Sequence, residues 1–146
     1  MKNKYMQLAL DEAKKAYSEN EVPVGAVIVK NNKVIAKTHN LKVKTNCIIN
    51  HAEIIAIIDA TNKLHDWRLN DCEMYITLEP CPMCAGAIAQ SRIKKIYIGT
   101  TSNIKSNKEI VEEILTNNDY YHKVEIVYLN NQECSNIISD FFSKKR

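Results

Sequence analysis

Apolar residues recur at helical spacing near the start of the chain. Tyr5, Leu8, Ala9, Ala13 and Ala16 share one face, and good helix formers fill the gaps, which predicts a helix over Lys4 to Tyr17. Pro23-Val24-Gly25 closes it. Ala26 to Lys30 then reads as a buried strand rich in Val and Ile. Asn31-Asn32 suits a tight hairpin turn, because Asn tolerates positive φ, and Lys33 to His39 is the returning strand. A polar loop, Asn40 to Asn50, leads to a second helix over His51 to Asn62, with Ile54, Ile55, Ile57 and Ile58 expected against apolar surroundings.

The rest alternates. Strands are predicted over Glu73–Leu78, Lys94–Gly99 and Val124–Tyr128, and helices over Pro82–Gln90, Asn107–Thr116 and Asn131–Phe142. A Pro at the start of the Pro82 helix suits its first turn. A hairpin followed by strand–helix–strand units implies an α/β fold, with a mixed five-stranded sheet between helices on both faces, a three-layer α/β/α sandwich. No repeat or linker divides residues 1–146, so one domain is expected.

Composition narrows the class. Hydrophobic residues make up 45% and charged residues 25%, and Gly and Pro number only three each, which argues against disorder. A net charge of +3 allows a polyanionic partner without demanding one. No segment approaches the length of a membrane span, and the N-terminal stretch has charges within its apolar pattern and no cleavage site. A cytoplasmic location is therefore expected, where the five cysteines read as thiols or metal ligands. Cys47, Cys72 and Cys134 are expected as small buried hydrophobes, His39, His65 and His122 as surface or hydrogen-bonded histidines, and Met74 and Met83 as packing residues.

Two short stretches carry chemistry: His51-Ala52-Glu53 and Pro80-Cys81-Pro82-Met83-Cys84. Cys-x-x-Cys places two thiols on one helical turn, at a helix start where thiolates are favoured. His51 opens another helix, and helix starts beside neighbouring strands can meet at one edge of a sheet. Glu53 stands two residues from His51 and faces another way, so it is better placed to reach something bound beside a metal than to ligate it. Three ligands with no evident fourth leave an open position, which is how catalytic zinc differs from structural zinc. A nearby carboxylate can then shuttle protons. Glu79 either supports such a site from behind or caps the following helix; the sequence leaves both open.

His-x-Glu followed by Pro-Cys-x-x-Cys is the pattern of the zinc nucleobase deaminases, and the chain resembles the cytidine deaminase superfamily. More narrowly it is similar to the bacterial tRNA-specific adenosine deaminases. The likeness runs through Glu21-Val22-Pro23-Val24-Gly25-Ala26-Val27, Asn40, the two motifs, Thr77-Leu78-Glu79, Ala85-Gly86-Ala87-Ile88, Ser91-Arg92-Ile93 and Ser139-Asp140-Phe141-Phe142. The resemblance implies a cytidine-deaminase-like fold, one Zn2+ per subunit held by His51, Cys81 and Cys84, and Glu53 as proton shuttle. It further implies Asn40 hydrogen-bonded to the target base in a site with Val24, Leu78, Glu79 and Phe142. The substrate would be the wobble adenosine of an arginine tRNA anticodon stem-loop, and the protein a homodimer.

A base must leave its stack to react, and basic or aromatic side chains can hold the loop nucleotides. Lys42, Lys44, Phe142, Lys144, Lys145 and Arg146 are candidates, although a terminal Lys-Lys-Arg also suits a solvated tail and Phe141 and Phe142 also suit a core. After Gly99 the likeness fades: Thr100 to Asn107 lacks the small residues and leading acid that relatives often carry. Two rival readings follow. One is a deaminase of a free base or nucleoside, such as guanine, cytosine or a cytidine nucleotide. The other is a non-catalytic RNA-binding zinc module, which predicts a fourth protein ligand.

Overall fold

The computed structural model describes residues 2–117, 119 and 121–144. The first helix, α1 (Lys2–Ser18), is followed by a hairpin of β1 (Gly25–Lys30) and β2 (Lys33–His39). Asn31 and Asn32 both take positive φ, 51° and 62°, as a two-residue turn between antiparallel strands requires. The predicted polar loop holds a short helix, α2 (Lys42–Thr45). Then come α3 (Ala52–Leu64), β3 (Cys72–Leu78), α4 (Pro82–Gln90), β4 (Lys95–Thr100), α5 (Lys105–Thr116), β5 (Glu125–Tyr128) and α6 (Gln132–Lys144). Every predicted element is present, with ends within two residues of those expected.

The five strands form one mixed sheet in the order β2-β1-β3-β4-β5. The first three pair antiparallel, while β3, β4 and β5 run parallel through the α4 and α5 crossovers. Alternate residues of each strand serve different cores. Ile28, Met74, Ile76, Ile96 and Ile98 pack with α3, α4 and α5. Val27, Val29, Tyr75 and Tyr97 pack with α1 and with Cys134 of α6, and the Tyr75 and Tyr97 rings stack at 4.3 Å. Among the described residues no helix is long and apolar enough to cross a membrane.

The face that α3 buries differs from the one expected. Ala52, Ala56 and Ala60 are fully covered, together with Glu53, whereas Ile54, Ile55 and Ile57 are half-buried and Ile58 is 49% exposed. Small residues at i, i+4 and i+8 let the helix approach the sheet closely, which leaves Ile58 exposed, while Ile57 packs against the edge of the core as expected. Met83 is likewise 40% exposed rather than packed, and Cys47 is half-buried, while Cys72, Cys134 and Met74 are buried as expected.

Gly25 fixes how α1 sits on the sheet. A Cβ there would lie 1.9 Å from the Ala9 carbonyl oxygen and 2.8 Å from the Ala13 nitrogen. Backbone cannot yield as a flexible side chain can, so α1 would have to lift. Gly25→Ala is expected to destabilise the protein by about 3 kcal/mol, seen as a melting temperature roughly 10 °C lower. An unchanged melting temperature would show that α1 is not seated as described.

Candidate active site

Two helix starts meet at one end of the sheet. His51 is the N-cap of α3 and Cys81 the N-cap of α4, both with extended backbone, and neither side chain caps its own helix. Their side chains are therefore free to converge. His51 Nδ1 lies 3.7 Å from Cys81 Sγ and 3.5 Å from Cys84 Sγ. A tetrahedral zinc with Zn–N of about 2.0 Å and Zn–S of about 2.3 Å holds its N and S donors about 3.5 Å apart. The donor set thus fits zinc in type and spacing. Among the described residues the cluster has three donors, His51, Cys81 and Cys84, one short of a closed tetrahedral site.

Electrostatics point the same way. The Cys81 thiol is pulled down to about 5, first by its hydrogen bond with Cys84 and also by His51. Cys84 is pushed far above the ordinary thiol range because it shares that hydrogen bond and is buried. Cys81 is therefore the thiolate of the pair and Cys84 the proton-bearing partner in the metal-free site. Glu53, in the first turn of α3 and only 3% exposed, is raised to about 7 by burial, with the neighbouring Cys81 charge adding to it.

A cavity of about 410 Å³ opens over the cluster. His51, Glu53 and Cys81 form its floor, and Val24, Asn40, Leu78, Glu79, Phe141 and Phe142 line it. Its volume suits a small organic group such as a nucleobase. Asn40 ties the walls together: its Nδ2 donates to Val22 O at 3.1 Å, and its Oδ1 accepts the Ala52 N–H at 2.7 Å beside His51. One amide hydrogen and one lone pair of Asn40 remain for a ligand. The preceding His39 is clamped between Glu12 at 2.8 Å and Glu19 at 3.0 Å, which anchors the end of β2 to α1.

Two buried carboxylates brace the site, and only that of Glu79 was among the expected residues. The Glu21 carboxylate is 1% exposed and accepts the N–H groups of Val43 and Lys44 at 3.0 and 2.8 Å, which holds α2 against the cavity. Its only sequence signal is its place before Val22-Pro23-Val24-Gly25. Glu79, buried at the end of β3, accepts Ser102 N–H, Ser102 O–H and Asn107 Nδ2 at 3.0, 2.7 and 3.0 Å through Oε1. The divergent segment after Gly99 is therefore pinned to the residue beside the Cys81 motif, and Glu79 neither caps α4 nor joins the donor cluster.

All nine predicted site residues reach this one place: His51, Cys81 and Cys84 as the donors, and Glu53, Asn40, Val24, Leu78, Glu79 and Phe142 around them. Among the proposed RNA contacts, Lys42 lines the cavity and Lys44 is exposed nearby. Lys144 lies over the Tyr17 ring and pairs with Asp140 at 3.4 Å. Lys145 and Arg146 lie outside the described residues. Phe141 is buried against Tyr17, whereas Phe142 is 47% exposed at the cavity mouth.

Comparison with known proteins gives consistent findings. The model of the MafB19-like deaminases matches residues 1–146. The tRNA-specific adenosine deaminase of Bacillus subtilis (strain 168) is 40% identical over 143 residues, covering 97% of this chain and 89% of that protein. The tRNA-specific adenosine deaminase of Aquifex aeolicus (strain VF5) is 39% identical over 145 residues, covering 99% and 96%. A solved structure of a tRNA:A34 deaminase, studied for A-to-I editing at the wobble position, superposes with a TM-score of 0.83 at 34% identity, covering 92% of this chain and 99% of that one. A guanine deaminase from Bacillus subtilis superposes with a TM-score of 0.67 at 28% identity, covering 98% and 92%.

Proposed function

Because the chain belongs to the MafB19-like deaminases and groups with the tRNA-specific adenosine deaminases, we propose that it converts the wobble adenosine of an arginine tRNA anticodon loop to inosine, acting in the cytoplasm. That it is a hydrolytic deaminase follows from the family. What supports the tRNA substrate is whole-length identity near 40% to enzymes named for it; the three-donor cluster and buried carboxylate in one cavity support the deamination.

The reaction adds water across the ring carbon that bears the amine and releases ammonia. His51, Cys81 and Cys84 would hold one zinc ion per subunit, which when bound supplies the Lewis acidity that makes water nucleophilic at neutral pH. Glu53 accepts the proton that water gives up, passes it to the ring nitrogen beside the reacting carbon, and delivers a second proton to the departing amine. Asn40, held by Val22 and Ala52, orients the base with its remaining amide hydrogen and lone pair. Val24, Leu78 and Phe142 exclude water around the ring. The adenosine must be unstacked to enter, which a loop nucleotide permits at low cost.

We also propose a homodimer. Ile58 on α3 and Met83 on α4 leave apolar surface exposed on two neighbouring helices, a pattern suited to burial against a second copy. Sedimentation of the purified protein at twice the chain mass is the expected result.

The deciding experiment offers the protein an arginine-tRNA anticodon stem-loop in one arm and free adenosine, guanine, cytosine and cytidine in the others. Inosine formed in the stem-loop alone establishes the reading. Ammonia released from a free base, with the stem-loop untouched, replaces it with the free-base reaction.

A further inference from the structure

The far end of the two helices that carry the donor cluster holds a second feature. Trp67 follows α3 by three residues and is 57% exposed. The Arg68 guanidinium lies 5.4 Å from its ring centroid and the Arg92 guanidinium 5.2 Å. Surface depressions flank the indole on both sides, one reaching His65 and the other Gln90 and Arg92. The arrangement is held in place: Leu69 is fully buried and its N–H donates to the carbonyl oxygen of Ser91 at 2.7 Å, which binds the loop to the end of α4. Arg92 follows α4 at a φ of 67°, a helix-end conformation in which glycine is usual and arginine costs energy.

A large aromatic is ordinarily covered, and a cation beside it ordinarily meets a carboxylate. Here the indole remains in solvent. Arg68 pairs with Asp66 at 3.0 Å, but Arg92 forms no ion pair with a carboxylate among the described residues. An exposed ring with an unpaired guanidinium offers a base-stacking face and a phosphate ligand at one place. A protein partner would call for a broader apolar surface than one indole framed by charge.

On the reading that the substrate is RNA, we propose that Trp67, Arg68 and Arg92 form a second RNA-binding surface, which takes a stacked base and neighbouring phosphates. Thirteen residues of α3 separate it from the donor cluster, or about 20 Å of helix. The surface therefore contacts nucleotides well removed from the reacting one and contributes to affinity without touching the chemistry.

The chain has one tryptophan, so its fluorescence reports on this surface alone. The test titrates wild-type protein with the anticodon stem-loop and compares Trp67→Leu and Arg92→Gln for binding and turnover. The expected result is quenched emission that saturates with the binding curve. Trp67→Leu should raise KM about tenfold, the size of one lost base–aromatic stack, with kcat held within about twofold. Arg92→Gln should reduce the salt dependence of binding by about one unit of slope. Wild-type editing with unchanged emission, and variants whose KM and salt slope match the wild type, would overturn the surface while leaving the function intact. A wild-type protein that neither binds nor edits the stem-loop would overturn both. Melting temperatures of the variants separate a lost contact from a damaged fold.

Discussion

Replacing Glu53 with glutamine is expected to lower the deamination rate by about a thousandfold, within the range that a positioned general acid–base residue supplies. The exchange keeps the shape of the side chain and its place in the first turn of α3. It removes the proposed function, which is accepting a proton and giving it back. Glu53 is buried beside the donor cluster, and burial holds its carboxyl up to about 7, where it can exist in both protonation states near neutrality. Glutamine cannot titrate, so each turnover would need solvent to carry both protons. The two readouts should separate: inosine formation falls, while metal content and melting temperature stay close to wild type, because His51, Cys81 and Cys84 are untouched. Deamination retained in Glu53→Gln would remove Glu53 from the mechanism. Loss of metal together with activity would recast it as a supporting residue.

The donor cluster was legible in sequence because it depends on short spacings. Two residues separate Cys81 from Cys84, and a helix start fixes which way both point; His51 stands at the matching position of the neighbouring unit. The sheet was legible for the same reason, since strand alternation and crossover helices are local patterns. What sequence hid depends on residues far apart in the chain. The α2 helix has four residues and no side-chain cap of its own, so nothing local announces it; Glu21, more than twenty positions earlier, holds its first N–H groups. Glu79 could not be assigned because its partners, Ser102 and Asn107, lie in the segment where the likeness to relatives fades. The buried face of α3 was misread because hydrophobicity ranks isoleucine above alanine, while close helix–sheet contact at Ala52, Ala56 and Ala60 selects for small size. The exposure of Ile58 is a consequence of that contact.

Cys84→Ser is expected to cost both activity and metal. Cys84 is fully buried at the third position of α4, and its Sγ lies 3.5 Å from His51 Nδ1. A serine hydroxyl does not ionise near neutral pH, so the site would fall from three charged or basic donors to two, too few to hold zinc against water. Zinc content measured on the purified variant should be near zero, with deamination at background. Stability should fall as well, because a bound ion favours the folded chain by mass action: at a free concentration a thousand times its Kd the gain is about 4 kcal/mol, which for a chain of this length is on the order of 10 °C in melting temperature. The fold itself should persist, since both cores are built from residues outside the cluster. A chelator provides the control. Wild-type protein stripped of metal should match the activity and melting temperature of Cys84→Ser, and added Zn2+ should restore the stripped wild type but not the variant. A Cys84→Ser protein that keeps stoichiometric zinc would show that another group completes the site, and the assignment of three protein donors would have to be withdrawn.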